Sequence, residues 1–400
     1  MPESVSNNAV CEGFVNGVPY VYSFTGIDAS LSEPGIHLKA WRYNTQSDNW
    51  EVLDSVPDTR GKIAASANRI GDIIYIIGGY YVAANGTETS SSKVHRFQVS
   101  TNAFLADGMD IPVAIDDHVQ AVWQDSLIYV VTGWSNTTNV PNVQIYNPSS
   151  DQWQVGTAVP NNNLYKVFGS SGTIVGDTLY YYGGARLGVN FPATFQLRKG
   201  AIDSNNPAQI TWSIDTLDSQ VDGYRMACTS INDSIFFIGG STTTYNYDAV
   251  AYNGSGVVNP NKNIIMLSQM GNYAVDSSFS LPMDLRGIAK ISPNELYLAG
   301  GILANGIQSD KLLKLTWRQQ SSVGVQNLNE HVLSISPNPV SEFVQLNIEG
   351  EGIVEIYDLM GKRVLQHAGK RIDVSILEKG VYLLNAKVGE RIFTQKMIKY

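Results

Sequence analysis

Only two cysteines, Cys11 and Cys228, occur among 400 residues, so no disulfide framework stands in for a hydrophobic core. Charged residues are scarce at 16 %, against about 25 % in an average soluble protein. The formal charge is −9, and no basic stripe appears anywhere, which excludes nucleic acid as the expected partner. Residues before 331 hold 18 Lys and Arg against 28 Asp and Glu, and the last 70 hold 9 against 8. No apolar run approaches the roughly 18 to 20 residues of a membrane-spanning helix. The start, Met1-Pro2-Glu3-Ser4, has neither a basic cluster nor an apolar stretch, so no signal peptide is expected within this chain.

Catalytic and metal signatures are equally thin. The five histidines, His37, His95, His118, His331 and His367, show no metal-ligand spacing. An Asp-rich calcium loop is missing, and Gly169-Ser170-Ser171-Gly172 lacks the spacing of a nucleophile elbow. No metal and no cofactor are expected.

What is present is turn-rich and aromatic, with 36 glycines and 21 tyrosines. Apolar strands ending in glycine recur as Tyr20 to Gly26, Ile73 to Gly79, Leu127 to Gly133, Leu179 to Gly184, Ile235 to Gly240 and Leu296 to Gly301. The spacing is 51 to 61 residues, a period that points to a radial array of sheets. An aromatic residue stands three places before each terminal pair: Tyr22, Tyr75, Tyr129, Tyr180, Phe236 and Tyr297. These rings are expected to fill the wedges between sheets. Downstream come Tyr43 with Trp50, Phe97 with Phe104, and Tyr146 with Trp153, separated by hairpin turns. The same alignment puts the two cysteines in sheets that are not neighbours, so both are expected to be unpaired.

Four strands per repeat, a double glycine after the second and spaced aromatics on the third and fourth make the region resemble the Kelch repeat family. The resemblance implies a six-bladed all-β propeller over residues 1–318. It is firm in blades 2 and 3 and looser in blades 4 and 5, where Phe195 to Trp212 spans an insertion and residues 252 to 268 offer no Trp. Copper-radical chemistry, known in that family, needs two histidines, two tyrosines and a cysteine together, and only His118 holds an inner position.

Counting back from the glycine pairs aligns Cys11, Ala64, His118, Gly169, Arg225 and Arg286 on the innermost strand. His118, Arg225 and Arg286, with Asp117, Tyr224 and Glu12 beside them, are the candidate ligand-binding residues at the mouth of the central channel. Guanidinium groups there suit a carboxylate or sugar hydroxyls, or they tie neighbouring loops by bonding carbonyls. The expected function is non-catalytic binding of a protein or glycan. The alternative is a carbohydrate-active enzyme, such as the sugar mutarotases found among Kelch propellers, working at the channel mouth. A structural adhesin would show exposed aromatics around Tyr80-Tyr81 and Trp134.

Residues 319–332 read as a polar linker. Beyond them, alternating strands and turns over 333–400 predict a small Ig-like β-sandwich. This module resembles the C-terminal sorting domain of the type IX secretion system of Bacteroidota. The resemblance rests on Pro337-Asn338-Pro339, Ile356-Tyr357-Asp358 with Gly361-Lys362, Ile372-Asp373-Val374-Ser375, Gly380-Val381-Tyr382, and Lys396 to Lys399. It implies the type IX machinery as partner and a secreted or outer-surface location reached through the periplasm. A precursor extending upstream, with a signal peptide and an outer strand closing blade 6, is expected.

Overall fold

Short apolar runs bounded by Gly, Asn and Asp form strands rather than helices. The computed structural model of the chain contains two three-residue 3-10 turns as the only helical segments among the described residues. It describes residues 1–215, 221–268, 271–276, 280–316, 334–347, 353–388 and 391–400. Two compact units are present, Met1–Arg318 and Gln319–Tyr400.

Among the described residues the first unit has six antiparallel sheets that each begin with an innermost strand, and one small two-stranded sheet, Trp134–Ser135 with Thr138–Asn139. The innermost strands are Ala9–Val15, Ile63–Ile70, Val119–Trp123, Ser171–Val175, Ala227–Ile231 and Ala289–Ser292. Each pairs with the glycine-ended strand that follows it, and successive strands step outward through the sheet. The sixth sheet has three strands among the described residues, Ala289–Ser292, Glu295–Ala299 and Leu312–Thr316. The expected linker at 319–332, and any closing strand drawn from 318 to 330, lie outside the described residues.

A ring of backbone hydrogen bonds joins the sheets at one end. One residue per sheet, at or just before the innermost strand, has positive φ: Asn7, Ala64, Asp117, Gly169, Arg225 and Asp284. The Asn7 N–H donates to Asp284 O (3.1 Å), Ala64 to Asn7 (3.3 Å), Asp117 to Ala64 (3.2 Å), Gly169 to Asp117 (2.8 Å) and Arg225 to Gly169 (2.8 Å). Leu285 N–H donating to Arg225 O (3.1 Å) closes the circle. Left-handed backbone costs a non-glycine residue about 1–3 kcal/mol, and here each such residue is locked by both neighbours.

This ring corrects the sequence alignment. Ala64, Gly169 and Arg225 do share a position, but Asp117, Asp284 and Asn7 stand where counting placed His118, Arg286 and Cys11. The separation from the ring to the glycine-ended pair is 14 residues in sheets 2, 4 and 5, but 15, 16 and 18 in sheets 3, 6 and 1. Turns of different length, and a register shift between Lys290 and Ser292 in sheet 6, break the fixed count.

Close approach of the sixth and first sheets needs glycine at 287. A Cβ there would lie 2.1 Å from the Val10 carbonyl oxygen. Gly287→Ala is therefore expected to lower propeller stability by about 1–3 kcal/mol through overpacking. Thermal unfolding checks this, and an unchanged midpoint would mean that this seam tolerates the added methyl.

Of the wedge aromatics, Tyr22, Tyr75, Tyr129, Phe236 and Tyr297 are buried. Tyr180 is half-buried and lies under the Lys199 ammonium, because Tyr181 and Tyr182 take the interior in its place. The paired aromatics meet as read: ring centroids are 5.3 Å apart for Tyr43 and Trp50, 5.0 Å for Phe97 and Phe104, and 4.9 Å for Tyr146 and Trp153. In the irregular fourth sheet Trp212 still packs on Tyr181 at 6.0 Å. Both cysteines are free.

The second unit has a three-stranded sheet (Ser334–Ser336, Phe343–Asn347, Arg371–Asp373) and a four-stranded one (Arg363–Ala368, Ile353–Tyr357, Gly380–Val388, Arg391–Lys399). They share one core that includes Val340, Val344, Ile356, Leu384 and Met397. Asn338 ties the Pro337-Asn338-Pro339 turn to the last strand, donating to Lys396 O and accepting from Ile398 N–H, both at 2.8 Å. Tyr382 is buried, and its hydroxyl donates to Glu378 O.

Candidate functional site

Because the ring residues carry side chains as well as hydrogen bonds, they concentrate charge at one end of the axis. Arg225 is 1 % exposed. Its Nε and Nη2 donate to the two oxygens of Asp117 (3.1 and 2.6 Å), and Nη1 donates to Asp284 Oδ1 (2.9 Å). The guanidinium also lies over the rings of Tyr224 and Tyr245, at 5.1 and 5.4 Å. Arg286 reaches Asp117 at 3.4 Å, and its Nη2 donates to His118 O (2.8 Å) and Ser66 Oγ (3.1 Å). Burial alone would raise the Asp117 carboxyl, but the charges of Arg225 and Arg286 hold it below the usual carboxylate range. Asp284 is pushed upward by burial, against the pull of Arg225.

This cluster lies between two cavities and contributes to the lining of both. On one side, the channel between the innermost strands encloses about 520 Å³ and is lined by His118, Arg286, Glu12 and Lys290 among others. Glu12 stands apart from the arginine cluster, accepting from the Lys290 N–H at 3.3 Å. Burial, then the Arg286 charge, pushes the His118 imidazole down to about 3. It is neutral at pH 7, with Nε2 facing Gln120 Oε1 at 3.1 Å.

On the other side, at the glycine-pair end, a smaller pocket of about 110 Å³ includes Arg225 and Asp117 in its lining. Its walls come from the connections that leave the second strands. The extended strand Ile73–Val82 and its partner Glu88–Ser90 supply Tyr80 and Glu88, and Trp134–Ser135 supplies Trp134. Later loops add Phe191, Asn246 and Tyr252, and Phe168 and Asp116 flank the ring. Trp134, Phe168, Phe191 and Tyr252 pack edge to face, with centroids 5.0 to 6.5 Å apart. Burial, then the charge of Asp117, pushes the Asp116 carboxyl well up. Burial raises Glu88 as well, although Asn246 hydrogen-bonds to it.

The structure thus brings five of the six candidate residues together, Asp117, His118, Tyr224, Arg225 and Arg286, and leaves Glu12 along the channel. Asp284, Glu88, Phe168, Phe191, Asn246 and Tyr252 were not singled out by sequence. Of the residues lining the smaller pocket, the sequence signalled Asp117, Arg225 and the Tyr80 and Trp134 aromatics. No group of His, Cys, Asp and Glu suited to a metal ion occurs among the described residues.

Residues 334–400 match the family described as secretion system C-terminal sorting domain. Kelch-like protein 36 of Bos taurus is 23 % identical over 211 residues, 53 % of this chain and 31 % of that protein. Kelch-like protein 25 of Xenopus tropicalis is 26 % identical over 129 residues, 32 % of this chain and 20 % of that protein. A solved structure, "Structure of YjhT", superposes with a TM-score of 0.62 at 16 % identity, covering 80 % of this chain and 98 % of that one. The chain is a Kelch propeller followed by a type IX secretion sorting domain.

The Kelch propeller spans no more than about a third of the curated relatives it matches, and the solved neighbour shows the fold alone. The sorting domain marks the protein for export to the outer surface or for secretion. No helix of the described residues is long and apolar enough to cross a membrane.

Proposed function

We propose that this exported propeller is a non-catalytic glycan-binding protein whose site is the aromatic pocket at the glycine-pair end. The observation that carries the reading is the wall of Tyr80, Trp134, Phe168, Phe191 and Tyr252 beside the polar groups of Glu88, Asp116 and Asn246. Aromatic rings cover the apolar face of a sugar ring, while a few fixed polar groups set its orientation. The pocket volume admits one sugar residue held partly in the opening, so the end of a glycan is the natural occupant.

Support for binding over catalysis comes from how the arginines are used. The catalytic alternative places chemistry on His118, Arg225 and Arg286, yet all three Arg225 nitrogens and Arg286 Nη2 are engaged by Asp117, Asp284, His118 O and Ser66, which leaves Arg286 Nε and His118 Nδ1 without hydrogen-bond partners among the described residues. Such a cluster holds blades together and is poorly free to follow a reacting substrate.

Glycan-array binding by the intact protein and by Trp134→Ala tests the site. Trp134 is half-buried, so the variant is expected to fold while binding its best glycan at least about tenfold more weakly. Undiminished binding by Trp134→Ala would remove this pocket from consideration.

A further inference from the structure

The pocket at the glycine-pair end holds more acid than base. Four carboxyl groups, Glu88, Asp116, Asp117 and Asp284, lie in it or directly beneath it, against the two guanidinium groups of Arg225 and Arg286. Arg225 is committed to Asp117 and Asp284, and Arg286 to Asp117. Four acids less two bases leave Glu88 and Asp116, neither of which forms an ion pair among the described residues.

Asp116 is 3 % exposed. Its Oδ2 accepts the Ser90 hydroxyl at 2.5 Å, which leaves Oδ1 for whatever enters the cavity that Asp116 lines. Five aromatic side chains line the same cavity. Ring faces attract cations by about 0.5–2 kcal/mol each as water is excluded, whereas a neutral guest brings no countercharge and leaves Asp116 as the uncharged acid that burial favours.

We infer that the group recognised in this pocket is a protonated amine, so that the glycan end residue is an amino sugar with its ammonium between Asp116, Glu88 and the aromatic wall. The inference rests on the glycan reading and narrows it to one class of sugar. Burial, then the charge of Asp117, makes an ionised Asp116 costly in the empty pocket, and an arriving ammonium offsets that cost. The third acid bordering the pocket, Asp117, is already satisfied by Arg225, which directs the cation toward Asp116 and Glu88.

Titration calorimetry of the full chain with glucosamine, N-acetylglucosamine and glucose provides the test. Glucosamine is expected to bind at least about tenfold more tightly than either neutral sugar. Asp116→Asn, which keeps the side-chain volume and the Ser90 bond, is expected to abolish that preference. Glu88→Gln, at a half-buried position, is expected to reduce it and serves if Asp116→Asn fails to fold. Equal affinity for the three sugars overturns the amine assignment and leaves the glycan reading intact. Absence of glucosamine binding also overturns it, and the array result then stands or falls separately.

Discussion

Replacing Arg225 by methionine is expected to destabilise the propeller by about 3–5 kcal/mol, the usual consequence of removing one partner from a buried ionic network. Arg225 bonds both oxygens of Asp117 and reaches Asp284, with all three side chains no more than 3 % exposed. Methionine fills much of the volume but leaves Asp117 with only the longer 3.4 Å contact to Arg286. The effect reaches beyond one blade, because Asp117, Arg225 and Asp284 are also ring positions whose backbone bonds hold neighbouring sheets together. Urea unfolding monitored by tryptophan fluorescence reads the loss. Arg225→Lys should recover only part of it, since one ammonium cannot present the planar fork that spans two carboxylates. Adding Asp117→Asn to Arg225→Met should restore part of the stability by removing the stranded charge. A loss below about 1 kcal/mol for Arg225→Met would show that the cluster is not what fastens the ring.

That ring was the least legible part of the fold, and the reason is physical. Strand repeats announce themselves because burial on both faces demands uninterrupted apolar runs, and the terminal Gly-Gly demands a backbone conformation that few residues accept. Gly78 and Gly79, for example, both have positive φ. Ring positions have no such signature. Asn, Ala, Asp, Gly, Arg and Asp occupy equivalent places because the hydrogen bonds are made by backbone atoms, and these do not select a side chain. The aromatic pocket was equally hidden, for Phe191, Asn246 and Tyr252 sit in connections without periodicity and meet only when the blades close. Tyr80 and Trp134 could be noticed as loop aromatics, but their convergence with Asp116 depended on knowing that Trp134 pairs with Asp116 across a backbone bridge. The sorting domain was the opposite case, with several ordered motifs in fewer than 70 residues.

A second buried network, away from the axis, should produce a comparably large effect with a distinct pH signature. Lys62 is 0 % exposed, and its Nζ lies 2.8 Å from Asp58 Oδ2 and 2.7 Å from His95 Nε2. His95 Nδ1 faces Asp107 Oδ1 at 2.8 Å, and the Tyr81 hydroxyl donates to Asp58 at 2.9 Å. His95 Nε2 also lies 3.2 Å from Asp58 Oδ2, so Lys62, His95 and Asp58 meet at one point. Burial would raise Asp58, yet the His95 contact and the Lys62 charge hold it far below the usual carboxylate range. A carboxyl depressed in the folded state contributes stability that is complete above its unfolded value, about 4. That stability is lost as pH falls toward the folded value. At pH 7, Lys62→Met is expected to cost about 3–5 kcal/mol because it strands a buried carboxylate. Below pH 4 the penalty should shrink, since Asp58 in the variant takes up a proton and no longer needs a countercharge. Thermal unfolding of both proteins between pH 3 and 7 measures the difference. A penalty that stays constant across that range would place the loss in packing around the Lys62 side chain and not in its charge.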